Sequence, residues 1–432
     1  MRKRLSISFI FILLLIFTSV ISAQQNETNY DESKIPDYIL PDPVVMMDGT
    51  AISTSKDWLE NRRPEILQLF ESNVYGKSPD KPENIEFKVL SIDEAALKGK
   101  AVRKEIEIIV SNNNKNLTLN LLIYLPKNGK SKHPLFLGLN FYGNQTICKD
   151  TGITITKNWV GNNKKFGITN NKATKSIRGV RAHRWQVEYL LERGYGLAAM
   201  YYGDIDPDFD DGFQNGIHPL FYKDEQSKPE ANEWGSIAAW AWGLSRAMDY
   251  LQTDSDIDHE KVAVMGHSRL GKTSLWAGAQ DERFAIVISN NSGCGGAALS
   301  MRKFGETVKR INNSFPHWFC DNFKKYNDNE DNLPIDQHML VALMAPRPVY
   351  VASAEEDRWA DPHGEYLSAK NAEPVYKLFG KKGVLTDEMP KVNQPVGDFI
   401  GYHIRSGKHD VTKYDWEQYI NFADRHFGFK KN

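Results

Sequence analysis

Two kinds of apolar pattern run along the chain and predict two kinds of strand. In the first, apolar and polar residues alternate, which is typical of antiparallel strands with one buried face. In the second, nearly every residue is apolar, which is typical of strands buried on both faces. Alternating strands are predicted at 85–90, 102–110 and 117–125, and continuous apolar strands at 134–140, 196–202, 262–265, 284–289 and 348–352.

Helical spacing of apolar residues separates these strands. It predicts a helix that begins near Pro64 and ends at Gly76, and further helices over 181–193 and 234–251. Because strands and helices alternate from residue 134 onward, we predict an α/β fold, a three-layer αβα sandwich around a mostly parallel sheet. Two long segments interrupt the alternation. The polar stretch 149–176 is interpreted as a mobile flap or a site rim, and the aromatic-rich stretch 293–333 as decoration of a cleft.

A strand, a sharp turn and a helix follow one another at the centre of the chain. The turn reads Gly-His-Ser-Arg-Leu-Gly from Gly266 to Gly271, close to the nucleophile-elbow pattern G-x-S-x-G with its second glycine one residue late. Glycines flank such a turn because Cβ atoms there would clash with the strand and the helix. Ser268 would then lie above the sheet beside a helix N-terminus, where its hydroxyl is suited to acyl transfer.

A serine in this position can also simply cap the helix. Arg269 and Lys272 favour catalysis instead, because two cations beside Ser268 would stabilise an oxyanion and hold an oxygen-rich substrate. An α/β-hydrolase carries its acid and its histidine after the serine, in the order Ser, Asp or Glu, His. The acid is therefore expected in the loop 353–362. His409 lies on a glycine-flanked loop before the last helix, with His403 as its rival.

Composition adds the cellular setting. The chain has 432 residues, of which 41% are hydrophobic and 25% charged, as expected of a globular protein. A basic start, an apolar run and small residues ending at Ala23 predict a signal peptide over 1–23, leaving a single catalytic domain over 24–432. No later apolar run could span a membrane, and the formal charge of −1 gives no reason to expect nucleic acid. An exported monomer, periplasmic or extracellular, is expected.

Several smaller features complete these expectations. The polar residues 24–34 predict a flexible tail. The three cysteines, an odd number, allow at most one intramolecular disulfide. A glycosylation sequon at Asn290 beside the elbow would obstruct the cleft if it were used, which favours a bacterial source. The aspartate-rich run 204–212 fails the pattern of a calcium-binding loop, so it is interpreted as a solvated acidic loop without metal.

The motif Gly-His-Ser-Arg-Leu-Gly-Lys resembles the signature of the glucuronoyl esterases, carbohydrate esterase family 15. The resemblance extends through Arg-Arg-Pro-Glu-Ile at 62–66, Asn-Phe-Tyr-Gly-Asn at 140–144, Tyr-Gly-Asp-Ile-Asp-Pro-Asp at 202–208 and Glu-Glu-Asp-Arg-Trp-Ala-Asp at 355–361. Fungal members carry the triad glutamate just after the strand that follows the elbow, where this chain has Ser-Asn-Asn-Ser at 289–292. The resemblance therefore places the acid on the later loop, as in many bacterial members, with Asp357 the first candidate and Glu356 the next.

The same resemblance implies the remaining roles. Arg269 would help to form the oxyanion hole, and Lys272, Glu306 and Trp359 would hold the hydroxyls of a uronate. The implied substrate is the ester between (4-O-methyl-)D-glucuronate of glucuronoxylan and the alcohols of lignin, hydrolysed without a cofactor or metal. Two alternatives are another exported carbohydrate esterase, of acetyl-xylan or feruloyl type, and a non-catalytic carbohydrate-binding protein. Lys272, Glu306 and Trp359 disfavour the first alternative, since acetyl esters need no uronate contacts.

Overall fold

The strands predicted from the apolar patterns all occur and join in one sheet. A computed structural model of the chain describes residues 28–429. The predicted signal peptide over 1–23 lies outside the described residues. The ten strands are β1 Asn84–Ala95, β2 Ala101–Asn112, β3 Lys115–Pro126, β4 His133–Asn140, β5 Gly196–Tyr201, β6 Ile257–His267, β7 Ile286–Asn290, β8 Val349–Ala354, β9 Val396–Gly397 and β10 Ile400–Arg405.

Their order in the sheet is β1-β2-β3-β5-β4-β6-β7-β8-β10-β9. The alternating strands β1, β2 and β3 pair antiparallel, as their pattern predicts. From β5 through β4, β6, β7 and β8 to β10 every pairing is parallel. The carboxyl ends of β6, β7, β8 and β10 therefore meet at one edge of the sheet, where α/β folds place their sites.

Helices cover both faces, which confirms the three-layer prediction. On β6, Val262 and Val264 pack into one hydrophobic cluster with the helices Ser236–Leu251 and Arg269–Gln280. Ala263 and Met265 face the opposite cluster, which includes residues of Val187–Glu192 and Lys413–Phe427. Because successive strand residues point to opposite faces, an unbroken apolar strand supplies both cores. The other α-helices are Arg63–Phe70, Val308–Ser314, Gln337–Ala342, Pro362–Asn371 and Glu373–Leu378, with short turns at Ser55–Asp57, Ala96–Gly99, Ala182–Trp185 and Tyr202–Ile205. Two π-helical segments, Trp58–Arg62 and Glu71–Tyr75, adjoin Arg63–Phe70 at its two ends.

The helix predicted over 181–193 is wrong as a single element. The structure has two pieces, Ala182–Trp185 and Val187–Glu192, separated by Gln186. Gln186 has φ of 41° and ψ of 41°, and a residue in this left-handed conformation cannot continue the regular helical hydrogen bonds. The helix predicted after Pro64 occurs as Arg63–Phe70 and continues as a π-helical segment, Glu71–Tyr75, so that it ends at Gly76 as predicted. Gly76 has a φ of 83°, which favours glycine.

The described end of the predicted flexible tail is not free. The Glu32 carboxylate accepts a hydrogen bond of 2.9 Å from the Arg302 guanidinium, and the backbone oxygen of Asn29 accepts one from Gly305 N–H. Arg358 also donates to the backbone oxygen of Tyr30. These contacts dock residues 29–32 on the segments next to Glu306 and Asp357, so the expectation of a flexible tail is wrong for them.

The insertion 149–176 packs on strands β2 and β5. Asp150 lies 2.6 Å from Arg103 of β2, and the backbone oxygen of Trp159 accepts from the Tyr201 hydroxyl of β5. It contains two short 3₁₀ turns, Lys164–Phe166 and Lys175–Ile177. Within residues 28–429, no helix is both long enough and apolar enough to cross a membrane.

Candidate active site

Ser268 occupies the turn between β6 and the helix Arg269–Gln280. Its backbone has φ of 61° and ψ of −130°, a strained conformation for a residue with a side chain. The turn is held because Ser268 N–H donates to the backbone carbonyl oxygen of Asn290 at 2.9 Å, while the Ser268 carbonyl accepts from Gly271 N–H at 2.8 Å. Strain of this kind is typical of a nucleophile elbow.

The two glycines of the motif are required by close backbone contacts. A Cβ on Gly266 would lie 1.7 Å from the carbonyl oxygen of Leu270, inside the turn itself. A Cβ on Gly271 would lie 2.9 Å from the Cβ of Ser292, on the segment that follows β7. Gly271 thus leaves room both for the segment that follows β7 and for the carbonyl oxygen of Gly266, 3.2 Å from the same Cβ position.

His409 and Asp357 come together above the ends of β10 and β8. Nδ1 of His409 lies 2.6 Å from Oδ2 of Asp357, and Asn291 Nδ2 donates to the same oxygen at 2.8 Å. Asp357 is buried, whereas the His409 side chain is 41% exposed and borders the cleft. A buried carboxylate on Nδ1 leaves Nε2 of His409 as the nitrogen available for proton transfer.

The rival candidates lie elsewhere. His403 is fully buried inside the sheet, with Nε2 3.0 Å from Asp415 and Nδ1 3.0 Å from the Tyr350 hydroxyl. Glu356 is exposed to solvent and does not line the cleft. Asp361 pairs with Arg302 at 2.8 Å. The geometry therefore favours Asp357 and His409 over the alternatives that the sequence left open.

One cleft of about 300 Å³ brings together all the residues predicted for the site. Its lining includes Ser268, Arg269, Lys272, Glu306, Asp357, Trp359 and His409, together with Asn291, Phe315 and Trp318. Phe315 and Trp318 come from the aromatic-rich segment 293–333, which was predicted to decorate a cleft. The polar insertion 149–176, interpreted as a mobile flap or a site rim, contributes no residue to this lining. Its Trp159 packs against Phe209, the neighbour of Asp208 in the chain.

Arg269 is held in place by an aspartate and two aromatic rings. Asp208 accepts a short hydrogen bond from the Arg269 guanidinium, which lies 4.5 Å from the Trp318 ring centre and 5.3 Å from that of Phe315. Burial raises the pKa of Asp208, but Arg269 and hydrogen bonds from His317 and Trp318 outweigh it and hold the pKa well below its usual range. The guanidinium is therefore a fixed positive charge beside Ser268.

The interpretation of 204–212 as a solvated acidic loop is wrong for its first three aspartates. Besides Asp208, Asp204 is buried and accepts hydrogen bonds from Asn120 and Asn158. Asp206 is buried 3.4 Å from His218. Buried carboxylates need such partners because an unpaired buried charge is costly. No cluster of three or more His, Cys, Asp or Glu side chains in residues 28–429 is arranged to hold a metal ion.

Lys272 and Glu306 form a buried pair at the floor of the cleft. Their charged atoms are 3.8 Å apart, and Lys272 Nζ also donates to the carbonyl oxygens of Ser292 and Cys294. Burial lowers the pKa of Lys272 and raises that of Glu306, and in each case the partner's charge opposes the shift. Trp359 adjoins the pair, since its carbonyl accepts from Glu306 N–H at 3.0 Å. Cys294, like Cys148 and Cys320, is a free thiol.

Three residues at the site were missed in the sequence. Asp208 holds Arg269, and Asn291 donates a hydrogen bond to Asp357. His267 packs against His409 with ring centres 4.4 Å apart. Asp208 lies within the motif Tyr-Gly-Asp-Ile-Asp-Pro-Asp that carries the resemblance, which was the one signal that it matters. His267 directly precedes the serine, and Asn291 occupies the segment where fungal members have their acid.

The sheet, the elbow and the cleft place the chain in the α/β-hydrolase class of serine esterases. A family model described as glucuronyl esterase of fungi matches residues 220–380. A carbohydrate esterase from an unknown prokaryotic organism is 56% identical over 422 residues, 96% of this chain and 97% of that protein. The chain belongs to the glucuronoyl esterases of carbohydrate esterase family 15.

Two solved structures are similar over nearly the whole chain. A glucuronoyl esterase from Solibacter usitatus is 50% identical, with a TM-score of 0.87 over 92% of this chain and 100% of that chain. An esterase of carbohydrate esterase family 15 from a marine bacterial metagenome, described as promiscuous, is 58% identical, with a TM-score of 0.87 over 93% of this chain and 100% of that chain. The predicted fold class and family are thereby confirmed.

Proposed function

We propose that the chain hydrolyses the ester between (4-O-methyl-)D-glucuronate of glucuronoxylan and the alcohols of lignin. The observation that carries this proposal is the cleft itself. It joins an elbow serine and a His–Asp pair to a buried Lys272–Glu306 pair and Trp359. The first group suits acyl transfer, and the second offers a cation, a carboxylate and an aromatic ring to the hydroxyls of a sugar acid. The predicted export would bring the enzyme to such a substrate, and we expect it to act as a monomer.

The reaction proceeds in two acyl-transfer steps. His409 Nε2 takes the proton of the Ser268 hydroxyl as Oγ attacks the C6 carbonyl of the glucuronate. The tetrahedral intermediate collapses when His409 returns that proton to the departing alcohol, which leaves an ester on Ser268. Water then attacks this ester, again giving a proton to His409, and the proton returns to Ser268 as glucuronic acid departs.

The surrounding residues have distinct roles in this scheme. Asp357 holds His409 with its proton on Nδ1 and stabilises the imidazolium. Arg269 stabilises the developing oxyanion with its backbone N–H and its guanidinium, a kind of contact typically worth ~3 kcal/mol. Lys272, Glu306 and Trp359 hold the sugar ring. No step requires a metal or an organic cofactor.

A substrate panel tests the proposal. The purified protein is assayed on benzyl D-glucuronate, p-nitrophenyl acetate and methyl ferulate, and kcat/KM is expected to be highest for the glucuronate. The panel includes small esters because one similar esterase is described as promiscuous. A higher kcat/KM on acetate or ferulate would contradict the proposal in favour of another carbohydrate esterase. Absence of turnover on all three would favour a carbohydrate-binding protein.

A further inference from the structure

The imidazole of His267 lies directly against the proposed catalytic histidine. His267 is the last residue of β6, directly before Ser268, and is only 5% exposed. Its ring centre lies 4.4 Å from that of His409, with an angle of 42° between the planes. Phe141 packs edge-on against another side of His267 at 6.3 Å. A buried ring on the rigid sheet thus touches a ring on a partly exposed loop.

A hydrogen-bond network fixes which nitrogen of His267 carries the proton. Asn290 Nδ2 donates to the Tyr419 hydroxyl at 2.7 Å and to Asp415 at 3.1 Å. The amide oxygen of Asn290 must therefore face His267 Nδ1, which lies 2.6 Å away. Because that oxygen can only accept, Nδ1 is the protonated nitrogen of His267. Asp415 is itself held by Arg405 at 2.8 Å, so the whole network is anchored.

The surroundings of His267 also keep it neutral. Burial lowers its pKa well below the usual value, and the nearby His409, Arg184 and Arg181 lower it further, against the effect of the Asn290 hydrogen bond. His267 therefore stays uncharged while His409 takes and returns a proton. A neutral ring can remain in contact with an imidazolium, whereas a second cation would repel it.

We propose that His267 is a positioning residue for His409, which it orients towards Ser268 through ring contact. This inference rests on the proposed function, because it assumes that His409 is the catalytic base. The 2.6 Å hydrogen bond that His409 Nδ1 donates to Asp357 fixes one nitrogen of His409 but leaves the ring free to tilt about that bond. Packing against the fixed ring of His267 restricts this tilt and, with it, the direction in which Nε2 of His409 points.

Two substitutions separate the ring contact from the hydrogen bond. His267→Asn keeps an N–H that can donate to Asn290 but removes the ring. His267→Phe keeps a ring against His409 but removes the donor and leaves Asn290 with an unpaired oxygen. We expect His267→Asn to lower kcat on benzyl D-glucuronate by roughly 10-fold to 100-fold with little change in KM. His267→Phe should retain the higher kcat of the two while melting at a lower temperature.

The measurements are kcat and KM for both variants, with circular dichroism and melting temperature to establish the folded fraction. A purely structural role would lower melting temperature without lowering the kcat of the folded protein. A wild-type kcat for His267→Asn, or a kcat for His267→Phe no higher than that of His267→Asn, would overturn the inference. His409→Ala distinguishes the two proposals: turnover in that variant contradicts the proposed function, whereas an inactive His409→Ala beside a fully active His267→Asn contradicts only the positioning role.

Discussion

Two cations follow the proposed nucleophile on the same helix, and their surroundings suit them to different roles. Arg269 adjoins Ser268 and is held by Asp208 against aromatic rings, where oxyanion charge would develop. Lys272 lies one turn further along the same helix, buried beside Glu306 and the carbonyls of Ser292 and Cys294. The pattern of charged residues predicted both cations, but it could not predict the contact between Arg269 and Asp208, because these residues lie 61 positions apart in the sequence.

Lys272→Ala should weaken the binding of uronate esters and leave the hydrolysis of acetyl esters nearly unchanged. The lysine is expected to hold the sugar ring, so its loss raises KM for benzyl D-glucuronate but leaves p-nitrophenyl acetate nearly unaffected. Arg269→Ala should lower kcat on both substrates by about two to three orders of magnitude, since every ester passes through an oxyanion. Both predictions are tested by measuring kcat and KM of the two variants on each ester. An equal loss on both for Lys272→Ala would remove its proposed role in binding hydroxyls.

The acid of the triad can be tested with a neighbouring control. Asp357→Asn should lower kcat by about four orders of magnitude, because an amide cannot hold His409 in the correct tautomer. Glu356→Gln, one residue earlier and exposed, should leave kcat unchanged. Both variants are compared with wild type on benzyl D-glucuronate. A severe loss in Glu356→Gln together with an active Asp357→Asn would show that the assigned acid is wrong by one residue.

The helix Pro362–Asn371 ties two strand ends together through one buried carboxyl. Glu365 accepts from the backbone N–H groups of Ser292 and Gly293 at 2.7 and 3.0 Å, after β7, and from the Ser353 hydroxyl at 2.6 Å, on β8. Burial raises its pKa to about 8, although the hydrogen bonds oppose the shift. Periodicity predicted the strands that meet here. A single inward glutamate on a short helix left no comparable pattern, because its importance depends on which strand ends it reaches.

Stability should depend on pH through Glu365. Its pKa in the folded chain is above the ordinary value of an unfolded glutamate, so the folded state binds the extra proton between about pH 5 and about pH 8. The free energy of unfolding therefore falls as pH rises through this window, by on the order of 1 kcal/mol per pH unit for this group.

Glu365→Gln removes the titration, so its stability relative to wild type should increase from pH 5 to pH 8. Chemical denaturation of both proteins at several pH values measures this difference, with Glu356→Gln as the exposed control. A stability difference that stays constant across the window would contradict the assignment of the titration to Glu365.

At the scale of the whole molecule, sheet order assembles the site. Ser268, Asn291, Asp357 and His409 are far apart in sequence, but they follow β6, β7, β8 and β10, which are neighbours in the sheet. Strand types, chain order of the triad and cleft-lining segments could be predicted because each leaves a local pattern. The break at Gln186 and the docking of residues 29–32 could not be predicted, because both depend on long-range packing.

The most direct test of the proposed serine mechanism is the activity of Ser268→Ala on benzyl D-glucuronate, measured beside wild type and His409→Ala. Serine and histidine act as one unit on the border of a preformed cleft, so each substitution should abolish turnover. Circular dichroism should remain that of wild type for both variants, and Ser268→Ala should keep the wild-type melting temperature. His409→Ala should melt at a lower temperature, because it leaves the buried Asp357 carboxylate without its histidine partner. Turnover by a correctly folded Ser268→Ala at a rate comparable with wild type would contradict the account.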